Sequence, residues 1–347
     1  MSPQRLNVTM QTVAREAGVS RATVSRVMSG ETFVDEGARK KVLAAARKLG
    51  YVRNAAASQL ARRGSELIAL LLRDAINPAY AYLQDHLLRE AHSRGLFVVT
   101  SSTGRIRSDD YEPAIGEVSL LERLIQLRPS GLIVSSGLVT ASEIEPFAAQ
   151  IPTIVVPRPE PNESLHVVGY DEVANSRMIA HEVIKAGHRS VAVGLVSRSE
   201  SYTEHLRAQT MIDTLLDAGV KVTRLRGMGL LNDPAALFDR VLAGAQAHRY
   251  SAMMFTNDAR AVQFLVQARR AGVSVPAAIS VTGLDGIGQG VELAGLATVR
   301  NPLETVAKTA IDKLTELIAG QRPSEPIREL FAGEVLAGPT LAPPARH

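Results

Sequence analysis

Residues 8–60 read VTMQTVAREAGVSRATVSRVMSGETFVDEGARKKVLAAARKLGYVRNAAASQL, and the order of caps, small residues and glycines here decides the N-terminal fold. Thr9 is placed to cap a helix whose apolar residues Val13, Ala14 and Ala17 share one face at helical spacing. Gly18 can take the left-handed conformation that ends it. Ser20 then caps a second helix that turns Val24, Val27 and Met28 inward, and the small Ala14 lets the two helices approach while Val19 and Val24 fill the angle between them. After Met28-Ser29-Gly30, Asp35 can cap a third helix with Val42, Leu43, Ala46 and Leu49 inward and Arg39, Lys40, Lys41, Arg47 and Lys48 outward. Helix, tight turn, helix is the pattern that places a second helix in the major groove of DNA. The outward residues of that helix are Arg21, Ala22, Ser25 and Arg26, and arginine suits bidentate contact with guanine O6 and N7.

Charge separates this head from the rest of the 347 residues. Residues 1–65 hold 12 Lys/Arg against 4 Asp/Glu, whereas the remainder carries a net charge of −4. A basic head on a mildly acidic body fits a polyanion-binding module joined to a separate function. With no cysteine, disulfides and thiolate metal sites are not available. The N-terminal MSPQRLNVT has no apolar run that could serve as a signal peptide, and no stretch reaches the roughly 18 apolar residues of a membrane span. These features predict a cytoplasmic protein without a membrane partner.

From residue 67 onward the pattern changes. Apolar runs at 67–72, 96–101, 131–136 and 153–157 alternate with helical stretches near 79–93, 113–127 and 141–149. The alternation resumes with helices near 172–186, 203–218, 234–247 and 258–271 and strands at 190–196, 221–227, 251–256 and 280–284. Apolar strands between helices imply parallel sheets covered on both faces. Two such units in tandem imply two Rossmann-like subdomains with a ligand cleft at the carboxyl ends of their strands. The fold class is therefore an all-α helix-turn-helix head plus an α/β core.

The tokens VAREAGVS, TVSRVMSG and LGYVRNAAASQL, at these spacings, resemble the DNA-binding head of the lactose- and galactose-repressor family. DAINPAY (74–80), KAGHRSVAV (185–193), FTNDARAV (255–262), VPAAISVTGLDG (275–286) and LATVRNP (296–302) resemble its periplasmic-binding-protein-like core. The resemblance covers nearly the whole chain. It implies a head at 1–50, a hinge helix and linker at 51–66, and an effector-binding and dimerisation domain at 67–347. Within the last, the first subdomain spans 67–166 plus 300–327 and the second 167–297 plus 328–347, with crossings near 165–171, 296–301 and 325–330.

The same resemblance implies that Arg21, Ala22 and Arg26 read bases, with Thr9, Ser20, Thr23 and Ser25 beside them, and that Tyr51 and Asn54 meet the phosphate backbone. Ala57 would lie on a hinge helix whose Leu60 wedges into the minor groove; Ser58 stands where a basic residue often follows Ala57. For the effector it implies Asp74, Tyr80, Arg207, Asn257 and Asp285, donors and acceptors suited to a polyhydroxylated ligand. The family's effectors point to a sugar or sugar derivative. Three features depart from the sugar-binding pattern: Pro157 stands in place of an aspartate, and Gly229 and Ala79 in place of aromatic residues, in a chain with no tryptophan. A non-sugar effector, a protein corepressor or an activating role fits the same residues.

An enzyme is disfavoured. GLDGIGQG (283–290) is not G-x-G-x-x-G, no G-x-S-x-G occurs, and His181, His188 and His205 lack metal-site spacing, so neither cofactor nor metal is called for. A transporter's binding protein would not carry the head. One head offers too small an interface for specific binding, which predicts a dimer on a two-fold operator. The Pro-rich LAGPTLAPPARH has no heptad pattern to make a tetramer.

Overall fold

The structure, a computed structural model, describes residues 8–28, 31, 33–51, 66–73, 77–102, 116–137, 139–227 and 234–345. The chain divides into two units, Met1–Ser65 and Glu66–His347. The first holds α1 (Met10–Ala17), α2 (Arg21–Met28) and α3 (Glu36–Leu49). Thr9 Oγ1 accepts from the Thr12 amide at 3.3 Å while Thr12 Oγ1 accepts from the Thr9 amide, a closed capping box. Gly18 ends α1 at φ 65°, where a side chain would be strained. Ser20 Oγ accepts from the Thr23 amide at 3.1 Å, and Asp35 Oδ2 from Ala38 at 2.8 Å. Val13, Val24 and Val42, all fully buried, form a small core with Ala14, Ala45 and Ala46. Leu43, read as inward, is 36% exposed: it lies one residue round from the stripe of Val42, Ala45, Ala46 and Leu49.

The second unit opens with β1 (Leu67–Leu72), α4 (Pro78–Ser93), β2 (Phe97–Ser102), α5 (Glu117–Gln126), β3 (Gly131–Ser135), α6 (Ala141–Ala148), β4 (Thr153–Val155) and β5 (His166–Tyr170). It continues with α7 (Glu172–Lys185), β6 (Ser190–Leu195), α8 (Tyr202–Asp217), β7 (Lys221–Arg226), α9 (Pro234–Gln246), β8 (Ala252–Met254), α10 (Asp258–Arg270) and β9 (Ser280–Thr282). Then come α11 (Gln289–Ala294), β10 (Thr298–Arg300), α12 (Leu303–Ile318), β11 (Arg328–Phe331) and β12 (Glu334–Leu336).

One parallel sheet runs β11-β5-β4-β3-β1-β2 and a second runs β7-β6-β8-β9, while β10 and β12 pair antiparallel. On the first sheet, Ile68, Leu70 and Ile133 pack under α4 and α12, and Ala69, Leu71 and Val134 under α5 and α6. On the second, Val191 and Val193 pack under α7 and α8, and Met253 and Val281 under α9 and α10. No helix among the described residues is long and apolar enough to cross a membrane.

The subdomain limits differ from those read in the sequence. β5 pairs with both β4 and β11, so residues 167–170 and 328–331 belong to the first sheet. The chain crosses after Tyr170, after Arg300 and after Phe331. The strand at 96–101 was expected to be covered on both faces; as edge strand β2 it is half-buried, with Phe97 62% exposed.

Candidate functional site

In the head, α2 separates its two faces sharply. Val24 and Val27 are buried, whereas Arg21, Ala22 and Arg26 are exposed, and Thr23 and Ser25 are half-buried beside them. Ser20 Oγ also meets Thr23 Oγ1 at 2.9 Å, so the capping bonds fix the end of the helix that carries Arg21 and Ala22. Thr9 is exposed at the start of α1, and Tyr51 is half-buried against the head's core. Lys48, exposed on α3, is tied to Glu16 at 2.7 Å. Asn54, Ala57 and Leu60 lie outside the described residues, as do Ser58, Asp74 and Gly229.

In the second unit, the structure brings Tyr80, Arg207, Asn257 and Asp285 together and shows what each is tied to. Arg207, buried on α8, donates Nε and Nη2 to Glu172 at 2.6 and 2.7 Å, and Nη1 to Asp285 Oδ1 and the Thr256 carbonyl, both at 2.9 Å. Burial opposes its charge, yet Glu172 and Asp285 raise its pKa well above the ordinary value. Asn257 caps α10 by accepting from the Arg260 amide at 2.9 Å. Asp258, the first residue of α10, accepts from Thr298 Oγ1 and the Gly286 amide. Glu204 gathers Thr256 Oγ1, Asn257 Nδ2 and the Arg260 guanidinium. Burial pushes Glu204 up, but Arg260's charge and hydrogen bond hold its carboxyl below the usual range.

Burial drives the Asp285 pKa to about 7; Arg207 opposes the rise while Asp258 and Glu172 add to it. Tyr80, half-buried on α4, faces this group from the first subdomain. Burial raises its hydroxyl pKa, Arg73 and Arg207 oppose the rise, and Glu204 and Asp285 add to it. A hydrogen-bonded chain continues from Asp285 through Asn301 Nδ2 (3.3 Å), Asn175 Nδ2 to Asn301 Oδ1 (2.9 Å), and the Gly333 amide to Asn175 Oδ1 (2.7 Å).

The carboxyl edge of the first sheet supplies residues the sequence reading had not singled out: Arg73 after β1, Ser135 and Ser136 at the end of β3, Glu117 opening α5, and Arg158 and Glu160 after β4. Glu117 accepts from Ser136 Oγ at 2.6 Å and from the Val139 amide at 2.9 Å; Arg158 Nη2 donates to Glu160 at 2.8 Å. Burial holds the Arg158 guanidinium below its ordinary pKa against the charges of Glu160, Tyr80 and Glu117, and Arg73 lowers it further. The available signal for these residues was their place: polar side chains directly after apolar strands.

Two family patterns match the chain. The one described as bacterial regulatory proteins, lacI family, matches residues 9–54, and the periplasmic binding protein-like domain matches residues 180–338. The transcriptional regulator AscG of Escherichia coli is 26% identical over 97% of this chain and 99% of its own length. The regulator GntR of Pseudomonas aeruginosa is 28% identical over 90% of each. Among solved structures, the lac repressor dimer bound to operator and an anti-inducer superposes with a TM-score of 0.79 at 23% identity, covering 96% of this chain and 99% of that one. The regulator CelR in complex with cellobiose gives 0.66 at 24% identity over 96% and 99%. The likeness to these two structures is one of fold.

Proposed function

We infer that the chain is a member of the LacI family of bacterial regulatory proteins, a transcriptional regulator whose head binds a specific DNA sequence and whose second unit takes a small-molecule effector. It is not an enzyme. The observation that carries the reading is α2, with Arg21, Ala22 and Arg26 exposed on one face and Val24 and Val27 buried on the other. In a helix-turn-helix, residues at the start of the second helix reach base edges while the caps and flanking basic residues meet phosphates. We assign base contacts to Arg21, Ala22, Ser25 and Arg26, supporting contacts to Thr9, Ser20 and Thr23, and phosphate contacts to Tyr51 and Asn54. Ala57 and Leu60 are assigned to a hinge at 51–66.

The effector site is assigned to the cleft between Tyr80 and the group formed by Arg207, Asn257 and Asp285, with Asp74 nearby in the sequence. Relatives are described as bound to operator as a dimer and as a cellobiose complex; carried to this chain, they support a cytoplasmic homodimeric repressor answering to a sugar or sugar derivative. Effector in the cleft lowers operator affinity, and by linkage operator lowers effector affinity by the same factor.

The test is selection of random duplex DNA on the purified full chain, followed by anisotropy titration of the enriched site. The expected result is a two-fold symmetric site bound at least a thousandfold more tightly than scrambled DNA at the same salt. Failure to enrich any sequence would overturn the assignment.

A further inference from the structure

The two walls of the cleft differ in kind. On the second-subdomain wall, Glu172, Glu204 and Asp285 outnumber Arg207 and Arg260, and Arg207 already donates to Glu172, Asp285 and Thr256. That wall offers acceptors. On the first-subdomain wall stand donors: Arg73, Arg158, Ser135 and the Tyr80 hydroxyl. Among the described residues four buried side-chain polar atoms lack a hydrogen-bond partner, and two of them, Ser135 Oγ and Arg158 Nε, lie on this edge. Arg158 is only 9% exposed. Its carboxylate neighbours are engaged elsewhere as well: Glu160 also accepts from the Asn162 amide, and Glu117 from Ser136 and Val139. A buried donor left without an acceptor forfeits its full desolvation, so such sites favour a ligand that supplies one.

We propose that this edge receives an acidic group of the effector, so that the effector is a polyhydroxylated acid, either a sugar acid or a sugar phosphate. The carboxylate or phosphate meets Arg158, Arg73 and Ser135, and the hydroxyls donate to Asp285 across the cleft. The reverse orientation would set the acid against the surplus carboxylates of the other wall. Pro157, standing where the resemblance calls for an aspartate, leaves no carboxylate at that position to oppose the anion. A neutral sugar would satisfy Ser135 but bring no countercharge to a cation that burial already disfavours. The proposal rests on reading the cleft as the effector site.

The experiment is calorimetric titration of the full chain with matched ligands: glucose and galactose, gluconate and galactonate, glucuronate and galacturonate, and the 6-phosphates of both sugars. At least one acid should bind tenfold or more tightly than the neutral sugar of its skeleton. Which acid does so separates the carboxylate from the phosphate source. The preference should collapse in Arg158→Met and survive in part in Arg158→Lys, whose thermal melts report whether each variant is folded; Ser135→Ala supplies a milder second reading. Neutral sugars binding as tightly as the acids, or an acid preference unchanged in folded Arg158→Met, would overturn the proposal and leave the effector site standing. Binding by no member of the panel would likewise overturn the proposal.

Discussion

Replacing Arg207 with methionine removes the cation that Glu172 and Asp285 share, while a long flexible side chain keeps much of the volume. Both carboxylates are buried, so neither recovers its hydration when the guanidinium goes. Breaking a buried pair by removing one partner costs about 3–5 kcal/mol, against roughly 0–1 kcal/mol for a surface pair. The loss has a pH signature. Arg207 pulls the Asp285 carboxyl down, so its removal lifts a pKa that burial already holds at about 7 further above the ordinary value of 3.8. A carboxyl whose folded pKa is raised contributes stability that is fully present below its unfolded pKa and lost as pH rises through the folded one. The penalty in Arg207→Met is therefore greatest near pH 8 and shrinks toward pH 6, by up to about 1.4 kcal/mol per pH unit for the one proton. Adding Glu172→Gln removes the second stranded charge and should recover part of the loss. With no tryptophan in the chain, urea denaturation followed by circular dichroism at pH 6 and 8 is the assay. A penalty below about 1 kcal/mol, or one independent of pH, would refute the reasoning and leave Arg207 a ligand contact with no structural part.

Arg26→Ala should weaken operator binding by about 1–3 kcal/mol and relax base preference at one half-site position, read by competition with single-base variants of the operator. Ser20→Ala removes the oxygen that accepts from Thr23 and should destabilise the head by about 1 kcal/mol, seen in its thermal melt, with a matching fall in DNA affinity. His188, on which burial imposes a lowered pKa, donates Nε2 to the Ala342 carbonyl at 3.0 Å and meets Ser251 Oγ with Nδ1 at 2.7 Å. Its contribution is present above the unfolded value near 6.5 and lost as pH falls, so His188→Gln should flatten the drop in melting temperature between pH 7 and 5.

The head was legible because its signals are local. Thr9, Gly18, Ser20 and Asp35 act on neighbours within one turn, and the one misplaced residue, Leu43, fails by a single step around α3. The parallel sheets were legible from runs such as LIALLL, but not β11: RELF alternates in exposure as an edge strand does, and its partner β5 is remote in sequence. The cleft was half legible. Asp285 stands in a recognisable token and Arg207 on the helix after β6 where the resemblance calls for an arginine, whereas Glu172, which takes two of the arginine's hydrogen bonds, reads in sequence as an ordinary first-turn acid of a helix. Position 157 drew notice for its proline, and the residue with the unpartnered donor is the next one, Arg158.

Asp285 stands where the proposed effector site and the crossings meet. Its amide donates to the Val299 carbonyl, its own carbonyl accepts from the Asn301 amide, and its carboxylate takes Arg207 and Asn301. Arg207 holds Glu172, which follows the crossing after Tyr170; Asn301 follows the crossing after Arg300; Asn175 carries the network to Gly333, beyond Phe331. Gly286 keeps the second crossing close: at φ 66°, its added Cβ would lie 2.2 Å from the Arg300 Cα. A ligand shifts a conformational equilibrium only through unequal binding to the two arrangements. Allosteric coupling typically amounts to about 1–3 kcal/mol, and a hydrogen bond to a charged group is worth about 1.5–3 kcal/mol. One ligand hydroxyl donating to Asp285 in one subdomain arrangement and not in the other is therefore enough to couple the cleft to all three crossings.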